Sequence, residues 1–412
     1  MEFLKLAFFK IKWFLFSFWW LFLPLIGFYF FWKFFTKTRK EEFLKSLDWV
    51  LLEIKVPPEI SKTPKAMEQV FSNLHSILRK RISFREKNFE GVVQEWFSFE
   101  IVNFFGEIKF FVRTPSKFRN LVESQIYAQY PEAEINIVDD YFEKIEEKYL
   151  KEDYEFEDAL LILSRENPYP ILTYHFFEEA EEERRIDPLA NILEAISTSS
   201  QNQVVVIQYL IKPVSDDWKK EGEEIVKKLG GGKPPVKMNI VDHTIEWIRN
   251  FLRAFFEPPT WSTGTPGQPP DFTKLSPGTV EIIKSIERKI SKLGFEGVIR
   301  IAYFSKKEEF DKGKIKAIIG SFFQFNSQHL NALKKEDPLK IKFKRFFGGR
   351  RLLLRKREEF SNCKERVFPS KYSIFSTEEL ATLYHFPTKA VKTPSLSRPP
   401  IKQIEPPPGL PT

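Results

Sequence analysis

Basic and aromatic side chains alternate in one segment near the end of the chain, and this composition can hold phosphate groups. From Lys340 to Tyr372 there are 12 Lys and Arg residues against 3 Asp and Glu. Cations neutralise nucleic-acid phosphates while phenylalanines stack on bases, and the same composition binds anionic lipid or an acidic protein surface. All three ligands stay open, and so does an ordinary solvated surface that binds none of them. The residues expected to make contact are Lys340, Lys342, Lys344, Arg345, Arg350, Arg351, Arg355, Lys356 and Arg357.

An acidic stretch of the same chain is a candidate counterpart of this basic segment. Between Glu132 and Asp158 the chain carries 12 acidic residues against 3 lysines, although its formal net charge is +8. Charge is therefore polarised along the chain. A contact between the two stretches, within one molecule or between neighbours, is one of the open arrangements.

The chain lacks the residue patterns that identify common catalytic or metal sites. No GxxxxGK[ST], HExxH, CxxC or GxSxG motif occurs. His243 and Glu246 lie one helical turn apart, but a metal site needs further ligands. Cys363 is the single cysteine, so an intrachain disulfide is excluded. We therefore predict no catalytic residue, no cofactor and no metal site, and we do not expect an enzyme. An envelope enzyme with an unrecognised site is a further alternative, besides a scaffold and a nucleic-acid-binding protein.

An uncharged run of 20 residues, from Trp13 to Trp32, lies near the N-terminus. As a helix it would extend roughly 30 Å, the thickness of a bilayer's hydrocarbon core. We therefore expect a leader at 1–12 and one transmembrane helix at 13–35. Because more Lys and Arg follow the run than precede it, we expect a single-pass protein of the cell membrane with its bulk in the cytoplasm.

Apolar spacings after this run predict an α+β fold. Residues 45–140 read as strand, helix, strand, strand, helix, strand, the order of a ferredoxin-like (split βαβ) module. Trp49–Val56 alternates as a strand, and Phe97–Val112 reads as a hairpin. Proline follows both Thr63 and Thr114, which suits the first turn of a helix.

A second α+β domain at 156–330 predicts another ferredoxin-like module, with a Pro/Gly-rich insertion at about 231–278. Residues 331–392 hold the basic segment and a C-terminal motif, and 393–412 form a Pro-rich linker or tail. The predicted fold is thus an N-terminal transmembrane helix followed by two ferredoxin-like modules, the second interrupted by the insertion.

Two stretches, Trp96–Ile135 and Ile374–Pro387 (IFSTEELATLYHFP), resemble the N-terminal, membrane-anchored half of conjugative-transfer ATPase-like proteins related to type IV secretion. In those proteins the second stretch closes the N-terminal region, and a Pro-rich stretch then leads into a P-loop motor domain. No position of this sequence matches a nucleotide-binding residue of that family. The resemblance implies transfer of DNA or protein across the envelope. Either a separately encoded P-loop ATPase is the partner, or the chain is a truncated version of such a motor protein.

These observations predict a non-catalytic, membrane-anchored scaffold or accessory subunit of a type IV secretion-like (conjugative transfer) system. It would dock or oligomerise with a P-loop ATPase, and further copies of the chain and DNA are additional candidate partners. The alternative is a membrane-tethered nucleic-acid-binding protein without a secretion role. Steeply salt-dependent DNA binding by the basic segment would favour this alternative.

Overall fold

The computed structural model describes residues 2–57, 62–79, 81–151, 154–177, 187–231, 275–336, 338 and 348–388. Most of the predicted insertion, the predicted contact residues from Lys340 to Arg345, and the Pro-rich tail lie outside these ranges. His243 and Glu246 lie outside them as well.

The chain begins with one long helix, α1 (Glu2–Ser46), which continues from the uncharged run through the charged residues after it. Large apolar side chains on its second half, such as Leu25, Phe31 and Phe34, are exposed. Across the described ranges, no helix is both long enough and apolar enough to cross a membrane. The predicted transmembrane helix at 13–35 is therefore wrong. That prediction rested on the length of the run and its lack of charge, whereas crossing also requires a high mean hydropathy, which the Trp, Tyr, Ser, Pro and Gly residues of this run lower.

Four antiparallel strands form the first half of the sheet, in the order β4-β1-β3-β2. Asn103 accepts a hydrogen bond from the Gly106 N–H at 2.9 Å, and Gly106 takes a φ of +96° in the turn between β2 and β3. The elements are β1 (Trp49–Lys55), α2 (Pro64–Leu74), β2 (Phe97–Phe104), β3 (Glu107–Pro115), α3 (Arg119–Gln129) and β4 (Glu134–Val138).

The second half of the sheet has the strand order β6-β7-β5-β8, and β9 pairs with the start of β7. The elements are α4 (Tyr141–Lys151), β5 (Tyr154–Leu163), α5 (Ala190–Ser197), β6 (Gln203–Pro213), α6 (Lys219–Leu229), α7 (Pro277–Ile290), β7 (Gly294–Lys306), α8 (Lys312–Ser321), β8 (Leu333–Glu336), α9 (Gly348–Lys364), β9 (Ser373–Ser376) and α10 (Thr377–Leu383).

The described strands form one continuous nine-stranded antiparallel sheet, because β2 pairs with β6 along its whole length. The predicted fold class, a transmembrane helix followed by two ferredoxin-like modules, is therefore wrong, and the chain is an α+β protein with a single large sheet. Both β2 and β6 are almost entirely buried. As edge strands they would leave a row of unpaired backbone groups, and pairing them removes both edges. Apolar spacing reveals strands but not which strand edges join.

Helices cover both faces of the sheet. The larger core lies on one face, where α2, α3, α5, α8 and α10 pack. A smaller core on the other face contains apolar residues of α4 and α9. The two faces alternate along each strand, as in β2, where Ile101 belongs to the first core and Val102 to the second. The described part of the predicted basic segment thus lies on the second face.

Candidate interaction site

Helix α9 carries the described part of the basic segment, and its sequence is rich in the strong helix formers Arg, Leu, Lys and Glu. The helix is followed by Arg366, whose φ of +51° is uncommon for a residue other than glycine. The N–H of Val367 donates to Asn362 O at 2.9 Å, and that of Arg366 donates to Cys363 O at 3.2 Å. This is the bonding pattern of a Schellman motif, which fixes the geometry of the helix end.

Three buried polar side chains on neighbouring strands lie beneath this helix end. In register, Glu100 of β2 faces Gln208 of β6, which in turn faces Arg300 of β7. Gln208 Nε2 donates to Cys363 O at 3.0 Å, and Arg300 Nη1 donates to Asn362 O at 2.8 Å. A cation near the C-terminal end of a helix dipole is stabilising. The row of side chains therefore anchors α9 by its own backbone carbonyls.

Arg366 connects the helix end to this polar row. Its Nε and Nη2 donate to the two carboxylate oxygens of Glu100 at 2.8 and 3.2 Å, and its Nη1 donates to Asp140. Tyr141 OH donates to Glu100 at 2.6 Å. Burial acts to lower the pKa of Arg366, but the charge of Glu100 and its neighbours holds that pKa well above its usual value. The buried Arg366 guanidinium is thus held in its charged form.

The basic and acidic stretches of the chain meet at this site. Three cations of the segment contact three carboxylates of the acidic stretch, and the pairs are Lys356–Glu155, Lys364–Glu146 and Arg366–Asp140. The described part of the basic segment therefore lies against the chain's own acidic stretch. An internal contact of this kind is one of the arrangements that the sequence left open.

The other predicted contact residues have different surroundings. Arg355 contacts Glu358 and Glu359 and donates to Pro338 O at 2.7 Å. Arg350 and Arg357 are exposed on α9, and Arg351 lies on the same helix. Lys340, Lys342, Lys344 and Arg345 lie outside the described residues. A ligand for the nine residues together stays a prediction.

The N-terminal half of α9 extends past the surface that covers its C-terminal half. Its exposed leucines, which we call the leucine patch, are Leu352, Leu353 and Leu354, with exposed fractions of 38%, 51% and 57%. Leu353 precedes the buried Phe360 by seven residues, so both lie on one helical face. That face is covered at one end of the helix and open at the other, where Arg350 and Arg357 flank the leucines.

The C-terminal motif of the sequence lies in the interior. β9 and α10 are buried throughout, and Ser376 and Glu379 form a reciprocal capping box at the start of α10. Glu379 also pairs with Lys289 of α7 at 3.0 Å. Burial lowers the pKa of Lys289, although the negative charge of Glu379 acts to raise it. Tyr384 packs against Phe99 of β2, while β9 pairs with β7. The motif thus joins the two halves of the sheet.

His385 continues this structural role. Its Nδ1 lies 2.8 Å from Ala381 O, and its Nε2 lies 2.9 Å from Asp187 Oδ1. Burial acts to raise the pKa of Asp187, but His385 and the N–H groups of Thr388 and Leu189 lower it to about 2. Both ring nitrogens of His385 thus lie within hydrogen-bonding distance of an oxygen atom. The pair holds residues 385–388 against the start of the segment that contains α5.

The described residues offer little for metal or thiol chemistry. Within them, no three His, Cys, Asp or Glu side chains are grouped so that they could hold a metal ion. Cys363 is buried, its thiol lies 3.6 Å from Gln208 Oε1, and burial raises its pKa. A thiol with a raised pKa is a poor nucleophile, because the thiolate is the reactive form.

The polar row under α9 was missed by sequence reasoning. Glu100 alternates with apolar neighbours and so resembles a solvent-facing residue of a half-buried strand. Gln208 and Arg300 carry a better signal, since each is the only polar residue within a long apolar run, VVVIQYLI and GVIRIAYF. A lone polar residue in a fully buried strand requires a partner. Here that partner is the end of α9.

Comparison with known proteins gives a family but no activity. No curated protein matches the sequence. A family model described as Domain of unknown function (DUF8128) matches residues 33–399, a range that includes the described strands, α9 and the buried C-terminal motif. The resemblance to conjugative-transfer ATPase-like proteins therefore stays a prediction. Because the match spans well over half of the sequence, the chain belongs to the DUF8128 family.

Proposed function

We propose that this chain is a non-catalytic scaffold that docks a separately encoded P-loop ATPase of a type IV secretion-like system through the leucine patch. One observation carries the proposal. Helix α9 is held at its C-terminal end by buried polar contacts and presents exposed leucines at its N-terminal end. A helix that is already fixed loses little conformational freedom when a partner covers it, and this favours affinity.

The leucine patch has the composition of a docking surface. Removing apolar area from water contributes roughly 25 cal/mol per Å², so covering Leu353 and Leu354 contributes a few kcal/mol before the costs of association. Arginine is enriched in protein interfaces, and Arg350 and Arg357 flank the patch. The partner that fits is therefore a protein with an apolar groove and carboxylates at its rim.

The interior ionisable groups support a scaffold rather than an enzyme. The principal buried pairs are Glu100–Arg366, Lys289–Glu379 and Asp187–His385. Each pair joins segments that are distant in the sequence, and each side chain makes further bonds to backbone or to neighbouring side chains. Groups engaged in this way hold the fold together, and they are poorly placed to exchange protons with a substrate.

The nature of the partner rests on the resemblance of Trp96–Ile135 and Ile374–Pro387. In the resembling proteins the second stretch ends the body that precedes a P-loop motor. In this chain the same stretch is the buried element that joins both halves of the sheet. A body closed in this way, with an exposed docking helix, suits a scaffold for a P-loop motor.

The test removes the patch and retains the helix. Tagged full-length chain is recovered from its own cells after crosslinking, as the native sequence and as the double variant Leu353→Ser/Leu354→Ser. We expect a P-loop ATPase with the native chain and at least tenfold less with the double variant. Phe323→Ser is the control, because Phe323 is 55% exposed on a different element. Equal recovery by all three chains, or no P-loop ATPase with any of them, would overturn the proposal.

A further inference from the structure

The two edges of the sheet differ in how they are protected. The β8 edge has four residues and carries Lys334 and Lys335, and charged side chains of this kind discourage pairing with another strand. The β4 edge reads Glu-Ile-Asn-Ile-Val, with no lysine or proline. Among the described strands β4 pairs with β1 alone. Within the described part of the chain, one edge is thus blocked and the other is open.

The open edge also presents apolar surface. Ile137 is 53% exposed, and it lies on the same face of β4 as Ile135, which packs against the larger core. The register confirms the shared face, because these two residues pair with Leu52 and Ile54 of β1. The apolar face that α2 and α3 cover therefore continues to the rim of the sheet, where Ile137 is left uncovered.

We infer that β4 of one copy pairs with β4 of a second copy, antiparallel and about a twofold axis at Asn136. Ile135 of each copy then lies opposite Ile137 of the other, so both exposed isoleucines gain an apolar neighbour. Glu134 lies opposite Val138, and Asn136 lies opposite itself. In this register each residue of β4 whose backbone N–H and C=O point away from β1 lies opposite another such residue. The two strands can therefore form a ladder of hydrogen bonds.

The sequence of β4 favours this register over the two in which the twofold axis is shifted by two residues. Shifting the axis to Glu134 would set two carboxylates face to face, and like charges directly opposite are destabilising. Shifting it to Val138 would set Ile137 opposite Asp139, which leaves the exposed isoleucine beside a charge. The occupant that fits the open edge is thus a second copy of the chain, and the result is one sheet that runs through both copies.

Register-specific crosslinking tests the inference. In the full-length chain Asn136→Cys places two thiols opposite each other, with Cα atoms about 5 Å apart, within the range of a disulfide. Glu134→Cys instead places the Cα atoms of its two cysteines roughly 13 Å apart, because the two positions are offset by four residues along the paired strands. Both positions are exposed, and the native Cys363 is fully buried. We expect mild oxidation to give a covalent dimer with Asn136→Cys and not with Glu134→Cys.

A second measurement needs no oxidation. Sedimentation equilibrium should show that Ile137→Lys weakens self-association at least tenfold, while Phe323→Lys, at a similarly exposed site, leaves it unchanged. Association through α1 would be unaffected by Ile137→Lys and would not distinguish Asn136→Cys from Glu134→Cys. That outcome, or a chain that stays monomeric at all concentrations, overturns the inference. The result is independent of whether the leucine patch binds an ATPase.

Discussion

Arg366 and Glu100 are 266 positions apart in the sequence, and both are fully buried as a doubly hydrogen-bonded ion pair. Removing two charges from water costs several kcal/mol each, which the attraction and the hydrogen bonds must offset. The pair also fixes a position, because Arg366 closes α9 while Glu100 belongs to the central strand β2. The helix that carries the leucine patch is therefore oriented by the middle of the sheet.

Replacing Arg366 by methionine should destabilise the fold by about 3–5 kcal/mol, because the Glu100 carboxylate would be left buried without its partner. The midpoint and slope of urea unfolding measure this loss. Adding Glu100→Gln to the same chain removes the unpaired buried carboxylate, and we expect it to recover part of the lost unfolding free energy. A single variant within about 1 kcal/mol of the native chain would contradict the buried pair.

Individual elements of the fold were largely predictable from apolar spacing. Alternation predicted a strand at Trp49–Val56, and β1 covers Trp49–Lys55. Such local signals arise because each strand or helix must turn its own apolar face inward. The joining of β2 to β6 has no local signal, since it depends on two strand edges more than 90 residues apart. Two modules were therefore predicted where one sheet exists.

The site was less predictable than the fold. Charge composition located the basic and acidic stretches, but it did not indicate that Lys356 and Lys364 pair with the acidic stretch of the same chain. The anchor below α9 requires Glu100, Gln208 and Arg300 to be adjacent, and adjacency across strands appears only when the register is known. The exposure of the leucine patch was not predictable either, because the residues around its three leucines have an ordinary helical sequence.

Two glycine substitutions should have opposite effects. A Cβ at Gly294 would lie 2.4 Å from Trp218 Nε1 and 2.7 Å from its Cε2, so Gly294→Ala forces the indole ring to move. We expect a loss of about 1–3 kcal/mol. Gly320 lies within α8 with no atom near the position of its Cβ, so Gly320→Ala should stabilise the chain by about 0.5–1 kcal/mol. Thermal unfolding of both variants checks the two signs.

The Asp187–His385 pair predicts a particular loss of stability in acid. The pKa of Asp187 is about 2 in the fold against an ordinary 3.8, so its contribution is complete above 3.8 and is lost as the pH falls through about 2. A depression of this size corresponds to on the order of 2 kcal/mol. Asp187→Asn should remove that part of the difference in unfolding free energy between pH 5 and pH 2. Asp139→Asn, at an exposed site, should leave the difference unchanged.

Charge reversal on α9 separates the docking proposal from the nucleic-acid alternative. Arg350 and Arg357 flank the leucine patch, whereas Lys356 and Arg355 already contact carboxylates of the chain. We expect Arg350→Glu/Arg357→Glu to lower recovery of the P-loop ATPase several-fold, because the rim of the patch would then repel an acidic partner. The affinity of the full-length chain for duplex DNA should stay within about twofold, measured by fluorescence anisotropy across a salt series.

The matched control is Lys227→Glu/Lys316→Glu, which changes the net charge equally at exposed sites on α6 and α8. It should affect neither measurement. If α9 instead binds phosphates, the flanking arginines each neutralise one, and their reversal should reduce the slope of log affinity against log salt by about two. A drop of that size in the salt slope, with ATPase recovery unchanged, would favour the nucleic-acid-binding alternative. Arginines that contact only a protein partner release no counterions from DNA, so their reversal would leave the slope unchanged.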